Sequence, residues 1–199
     1  MANERINELY TKWWLNRTPE ELNLHKKVLE YEEKYFRDMN FESDSILKDY
    51  IMFYNGNGND EESADIYYSL DNFQYRYLVK KLDDCGGETN QIKRTITIDP
   101  KYIENKSLIL HEIIHAHINI IQTIQPFLRD ALLICLYKYN KEKIDDLDQR
   151  ILKHANIVSG LDISRRGGSH DILFFLKSLE LDLRCGYKLG TICGYGRDE

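Results

Sequence analysis

Residues 92–121 read IKRTITIDPKYIENKSLILHEIIHAHINII, and two hydrophobic periods meet inside this stretch. Thr95 and Thr97 alternate with Ile96 and Ile98, the period of two expected of a strand with one buried and one wet face. Pro100 ends that strand, because a proline cannot donate to a sheet ladder. From about 106 the pattern becomes helical and runs to 124, with Leu108, Ile109, Leu110, Ile113, Ile114, Ile118, Ile120 and Ile121 supplying a wide apolar face.

Upstream, residues 65–70 and 74–82 are rich in aromatic and branched side chains, and 83–87 (DDCGG) reads as a turn. A two- or three-stranded antiparallel sheet is therefore expected. Further upstream the chain reads as helices at 3–16 and 19–38. Thr18-Pro19-Glu20-Glu21 is a start signal for the second, with Thr18 as N-cap, Pro19 in the first helical position and Glu21 closing a capping box. A short helix at 44–54 and a polar loop at 55–63 (NGNGNDEES) follow. Downstream, helices are expected at about 126–141, 143–158 and 170–184. Helices, a small sheet and more helices argue for an α+β fold. The organisation read from this is an N-terminal helical extension, 1–64, and a domain over 65–199 with a helical insert at about 126–158.

The 199 residues carry a net charge of -6 and 42% hydrophobic side chains, an ordinary composition for a globular domain. No basic stripe of the kind that grips a phosphate backbone is visible. Lys26-Lys27, Lys80-Lys81 and Arg165-Arg166 are isolated pairs, read as solvated faces. The fourteen tyrosines are read as half-exposed surface. The N-terminus has no signal-peptide pattern, and no stretch approaches the ~18 apolar residues of a spanning helix. Cys85, Cys135, Cys185 and Cys193 form no C-x-x-C pair. Reduced thiols and a cytoplasmic setting, without membrane association, are the expectation.

The chemistry sits in His111-Glu112-Ile113-Ile114-His115. Residues four apart stack on one helix face, so both imidazoles can reach one metal ion, and zinc favours such nitrogen ligands. Glu112 lies about 100° around the helix from His111 and about 60° from His115 at 3.6 residues per turn. Its carboxylate can stand beside the metal without ligating it and take a proton from water. Three ionisable groups in so apolar a helix are costly unless something satisfies them. His117, about 120° from His111, falls on the apolar stripe and reads as a packed histidine. His25, in a charged helix, reads as surface. For a third ligand two histidines remain. His154 shares a helical stripe with Leu147, Ile151 and Val158. His170 follows Gly167-Gly168-Ser169, where glycines allow close approach and Ser169 can cap the last long helix. These surroundings favour His170. An acidic ligand such as Glu142 or Asp145 has no distinctive spacing.

These residues resemble the SprT-like zinc metalloproteases, which include the Spartan protease of DNA–protein crosslink repair. The likeness rests on the strand-then-helix passage Ile96-Thr97-Ile98-Asp99 to Leu110-His111-Glu112-Ile113-Ile114-His115-Ala116, on Gly168-Ser169-His170 with Phe174 in the position of the family's H-G-x-x-aromatic motif, and on the helix that follows. It spans about 65–185 and lacks the family's C-terminal zinc ribbon. The resemblance implies a zincin-like fold, a zinc ion held by His111, His115 and His170, and hydrolysis of peptide bonds in a protein or peptide substrate with Glu112 as general base. Tyr187, Tyr195 or Arg184 could assist the oxyanion, and Thr95–Ile98 could form an exposed edge strand that captures an extended peptide. Nucleic acid is a partner by resemblance only, against the acidic charge. A zinc-stabilised regulatory or structural protein, a crosslink-repair protease and an effector protease with a narrow target are the alternative readings.

Overall fold

A computed structural model describes residues 2–37, 70–124, 126–160 and 170–194. The short helix expected at 44–54, the loop at 55–63 and residues 65–69 of the first expected strand lie outside the described residues. The chain is α+β, with six α-helices and one three-stranded sheet among the described residues. Its contacts divide it into two compact units, the described residues up to Ile120 in one and those from Ile121 onward in the other.

The first unit opens with α1 (Ala2–Asn16) and α2 (Pro19–Glu32), the latter followed by a π-helical turn over Glu33–Arg37. The capping box of α2 forms as expected. Thr18 Oγ1 accepts from Glu21 N at 3.1 Å, and Glu21 Oε2 accepts from Thr18 N at 3.2 Å. These bonds satisfy two donors that a helix start leaves orphaned, a contribution of roughly 1 kcal/mol. Leu24, His25, Val28 and Glu32 form the buried stripe of α2.

His25 is a correction, since it is only 3% exposed rather than on the surface. It falls on the inward stripe with Val28 and Glu32 at helical spacing, which the charges elsewhere on α2 obscure. Its ring stacks on Tyr77 at 4.8 Å, and its Nε2 meets Asp71 Oδ2 at 2.8 Å. On its other side Nδ1 faces the Arg17 guanidinium at 2.8 Å. Arginine can only donate, so His25 carries its hydrogen on Nε2. The tyrosines also depart from expectation, for Tyr35, Tyr75 and Tyr77 are core residues.

The sheet has strands β1 (Arg76–Val79), β2 (Gly87–Asn90) and β3 (Thr95–Ile98) in the order β1-β3-β2. It is mixed rather than antiparallel. β2 and β3 form an antiparallel hairpin, whereas β1 pairs with β3 in parallel. Strand β3 is consequently the centre of the sheet, not an edge, and all four of its residues are buried. The expected wet face is missing, since Thr95 and Thr97 are buried just as Ile96 and Ile98 are. Among the described residues the edges are β1 and β2. The register aligns Tyr77 and Thr89 with Ile96, and Gly87 with Ile98. Side chains alternate along a strand, so residues 87 and 89 share one face.

That face meets α3 (Lys106–Ile124), reached through a single 3-10 turn over Pro100–Tyr102. Tyr102 and Leu108 crowd Gly86 so closely that a Cβ there would lie 2.9 Å from each. Ile109, Leu110, Ile113 and Ile114 join Leu24, Val28, Tyr77, Ile96 and Ile98 among the core residues of the unit. His117 behaves as a packed histidine: it stacks on Phe36 at 4.6 Å and its Nε2 meets Glu32 Oε1 at 2.8 Å.

The second unit holds α4 (Pro126–Lys141), α5 (Leu147–Gly160) and α6 (Ile172–Cys185). The helix expected from 143 begins four residues later, because 142–146 form a turn in which Lys143 N and Ile144 N both donate to Asn140 O. Helix α6 is the buried one, with every residue from Leu173 to Asp182 inside. Its N-cap is Asp171, not Ser169, which lies outside the described residues. The Asp171 carboxylate accepts from Phe174 N at 2.9 Å and also pairs with Arg129 at 2.9 Å. Gly186 ends α6 in the left-handed region at φ 69°, as helix C-caps commonly do.

None of the four cysteines is in a disulfide. Among the described residues no helix is long and apolar enough to cross a membrane.

Candidate metal centre

Helix α3 places His111 and His115 one turn apart, and their Nε2 atoms stand 3.2 Å from each other. Two nitrogens bound to one tetrahedral zinc at ~2.0–2.1 Å would be about 3.3 Å apart, so the pair already has the spacing such an ion requires. His170 is the third member: one ring nitrogen from each of His111, His115 and His170 lies within 4.8 Å of the others, a cluster that could hold a metal ion. All three are partly buried, so water can still reach them.

His170 is held from within its own unit. Its ring stacks on Phe174 at 4.4 Å. Its carbonyl accepts a hydrogen bond from His154 Nε2 at 2.7 Å. His154 is 3% exposed and lies face to face with Phe175, ring centroids 4.2 Å apart. Burial holds its pKa below the usual histidine range, partly offset by the hydrogen bond it donates to His170. The contact needs a hydrogen on Nε2, and burial favours the neutral ring that carries it there. The two histidines weighed for the third position thus have different roles: His170 joins the cluster, and His154 fixes the chain that carries it. Asp171, the nearby carboxylate, is engaged as helix cap and as partner of Arg129. Glu142 and Asp145 are exposed, and neither belongs to the cluster.

Glu112 is not part of the cluster either. Its side chain turns to the sheet, where Thr89 Oγ1 donates to Oε2 at 2.7 Å and lies 3.0 Å from the Glu112 carbonyl oxygen. Its other oxygen, Oε1, stands where a Cβ on Gly87 would be, only 2.8 Å from that position. Burial pushes the Glu112 carboxyl up to about 7, against the lowering effect of the Thr89 hydroxyl and with a further upward push from Glu88. A carboxyl that titrates near neutrality can both accept and return a proton.

Thr89 and Gly87 carry no signal in the helix motif and escape a reading centred on it. The one available clue was Gly86-Gly87, read as turn, because a glycine inside a strand marks close approach by another part of the chain. Of the side chains considered for oxyanion assistance, Arg184 is held by Glu180 at 3.1 Å, and Tyr195 lies outside the described residues.

No protein-family model matches the chain, and no curated protein and no solved structure shows significant similarity to it.

Proposed function

We propose that the chain is a zinc-dependent endopeptidase that hydrolyses peptide bonds in protein substrates, with His111, His115 and His170 holding the metal and Glu112 as general base. The observation that carries this reading is the pair of Nε2 atoms 3.2 Å apart on one helical turn, with a buried carboxylate of raised pKa next to them in sequence and outside the cluster. The three imidazoles are a donor set that suits zinc, and three protein ligands leave a fourth position for water or substrate. Zinc bound there would make water more acidic and polarise the scissile carbonyl.

The chain's own residues account for the rest. Glu112 removes a proton from the attacking water and returns it to the departing amine, the two transfers that peptide hydrolysis demands. A metal site that served structure alone would have no use for that carboxylate. Strand β2 is an edge among the described residues, and Gly87 and Thr89 on it touch Glu112. An extended peptide pairing with that edge would bring its main chain alongside the base, a recognition mode based on main-chain hydrogen bonds. This role falls to β2, since β3 is covered on both sides. The order of strand and helix and the spacing of His170 and Phe174 support a SprT-like relationship. The net charge of -6 favours a protein substrate over nucleic acid as the partner that this chain itself recognises.

Elemental analysis together with a cleavage assay tests the reading. The full chain should hold about one zinc, as expected for a three-ligand site with an open fourth position, and should cleave denatured casein in a way that a chelator stops and added zinc restores. Protein that binds no transition metal after refolding with zinc would overturn it.

A further inference from the structure

Strand β2 presents two residues to Glu112, and neither is explained by the sheet. Thr89 is partly buried, and its hydroxyl reaches the Glu112 carboxylate at 2.7 Å with good access to the same residue's carbonyl at 3.0 Å. A hydroxyl has one hydrogen to give, and the shorter contact, to the carboxylate, is the stronger of the two. Gly87 has a φ that any residue could adopt, so backbone freedom does not account for it. Space does: a Cβ would lie 2.8 Å from Glu112 Oε1 and 2.9 Å from its Cγ. The residue between them, Glu88, alternates to the opposite face and is exposed.

We propose that β2 is the positioning device of the general base: Thr89 holds the Glu112 carboxylate by its hydroxyl, and residue 87 must lack a side chain so that the carboxylate can stand over the strand. The proposal rests on the proteolytic reading of Glu112 above. Thr89 acts through Glu112 and does not itself touch substrate. A base displaced by even an ångström loses much of its effect, on the order of a hundredfold. The strand therefore sets the rate of proton transfer without setting metal affinity.

The experiment compares the full chain with Thr89→Val, Thr89→Ser and Gly87→Ala, each loaded with zinc and given denatured casein. Thr89→Val keeps the shape of threonine without the hydroxyl. It should retain its zinc and its KM and lose on the order of 10- to 100-fold in kcat, and Thr89→Ser should recover most of that loss. Gly87→Ala should fold, because what it displaces is a side chain rather than backbone, and should show the same kcat loss. A second measurement needs neither zinc nor cleavage. Urea unfolding of the metal-free protein is followed for Thr89→Val, Glu112→Ala and the double variant. If the hydroxyl holds the carboxylate, Thr89→Val shifts the midpoint clearly in the native background and much less when residue 112 is alanine. Equal shifts in the two backgrounds, or a Thr89→Val protein that cleaves like the native one, would overturn the proposal. Coupling without any casein cleavage by the native protein would remove the proteolytic reading, and with it the role of β2 in catalysis, while leaving the contact itself in place.

Discussion

Helices α3 and α6 each bury a carboxylate, and the two are treated in opposite ways. Asp182 on α6 is fully buried and accepts main-chain hydrogen bonds from Gly190 at 2.7 Å and Ile192 at 3.0 Å, which fasten the turn that follows the helix. Its donors belong to the backbone and cannot rotate away. Glu112 on α3 receives one side-chain hydroxyl on Oε2, and its Oε1 lies against a glycine. A carboxylate that closes a chain turn is surrounded by fixed donors. Glu112, the base of the proposed reaction, is held by a single adjustable contact. The helices differ in the same sense. The α3 histidines face each other through their four-residue spacing alone, whereas His170 precedes α6 and is held by a residue 16 positions away.

The largest expected effect separates the two carboxylates. Glu112→Gln should keep its zinc and lose on the order of 10²–10⁴-fold in kcat, the usual contribution of a general base. Metal stoichiometry and casein cleavage measured on the same preparation decide this, and near-native cleavage would place the base elsewhere.

The next two variants probe the second helix. His170→Ala should lose zinc on dialysis against a weak chelator. His154→Ala should retain it but bind it more weakly, by about tenfold, as is usual when a group supporting a ligand is removed. The ordering of the two affinities by chelator competition is the measurement. A reversed ordering would make His154 the ligand and undo the distinction between ligand and support.

The last expected effect is a pH dependence confined to Asp182. Burial pushes its pKa up to about 6, from an ordinary 3.8. The folded chain therefore binds this proton more tightly than the unfolded chain does. Its contribution to stability is complete below the unfolded value and is lost as pH rises through about 6. Two pH units correspond to on the order of 2–3 kcal/mol. Between pH 4 and 7 the native protein should lose stability relative to Asp182→Asn, which cannot ionise. Urea unfolding of both proteins at pH 4, 5.5 and 7 reads the difference, and parallel curves would mean that Asp182 stays ionised throughout.

How far the sequence could be read follows the same division between local and distant contacts. The limits of α3 and α4, the α2 capping box and the pairing of His111 with His115 were all visible, because each depends on residues within one or two turns. The central place of β3 was not. It depends on β1 crossing to pair in parallel, and an alternating TITI looks the same at an edge as in the middle. His25 was misjudged because its partners, Asp71 and Tyr77, are 46 and 52 positions further on. The capping of α6 by Asp171 was hidden by a neighbouring serine that is an equally good cap by type; the presence of Arg129 beside it is a tertiary fact. Thr89 and Gly87 belong to the site only because β2 lies on α3.

The two helices read as an insert carry a consequence for anyone who would shorten this chain. Arg129 on α4 pairs with Asp171, and His154 on α5 bonds the carbonyl of His170. Each therefore holds one of the two residues immediately before α6. Excising the pair as a dispensable module would remove both clamps at once and set the third histidine adrift. Length can be varied instead in the turn at 142–146, beside its exposed residues Glu142, Lys143, Asp145 and Asp146, where lengthening the chain would leave both clamps attached.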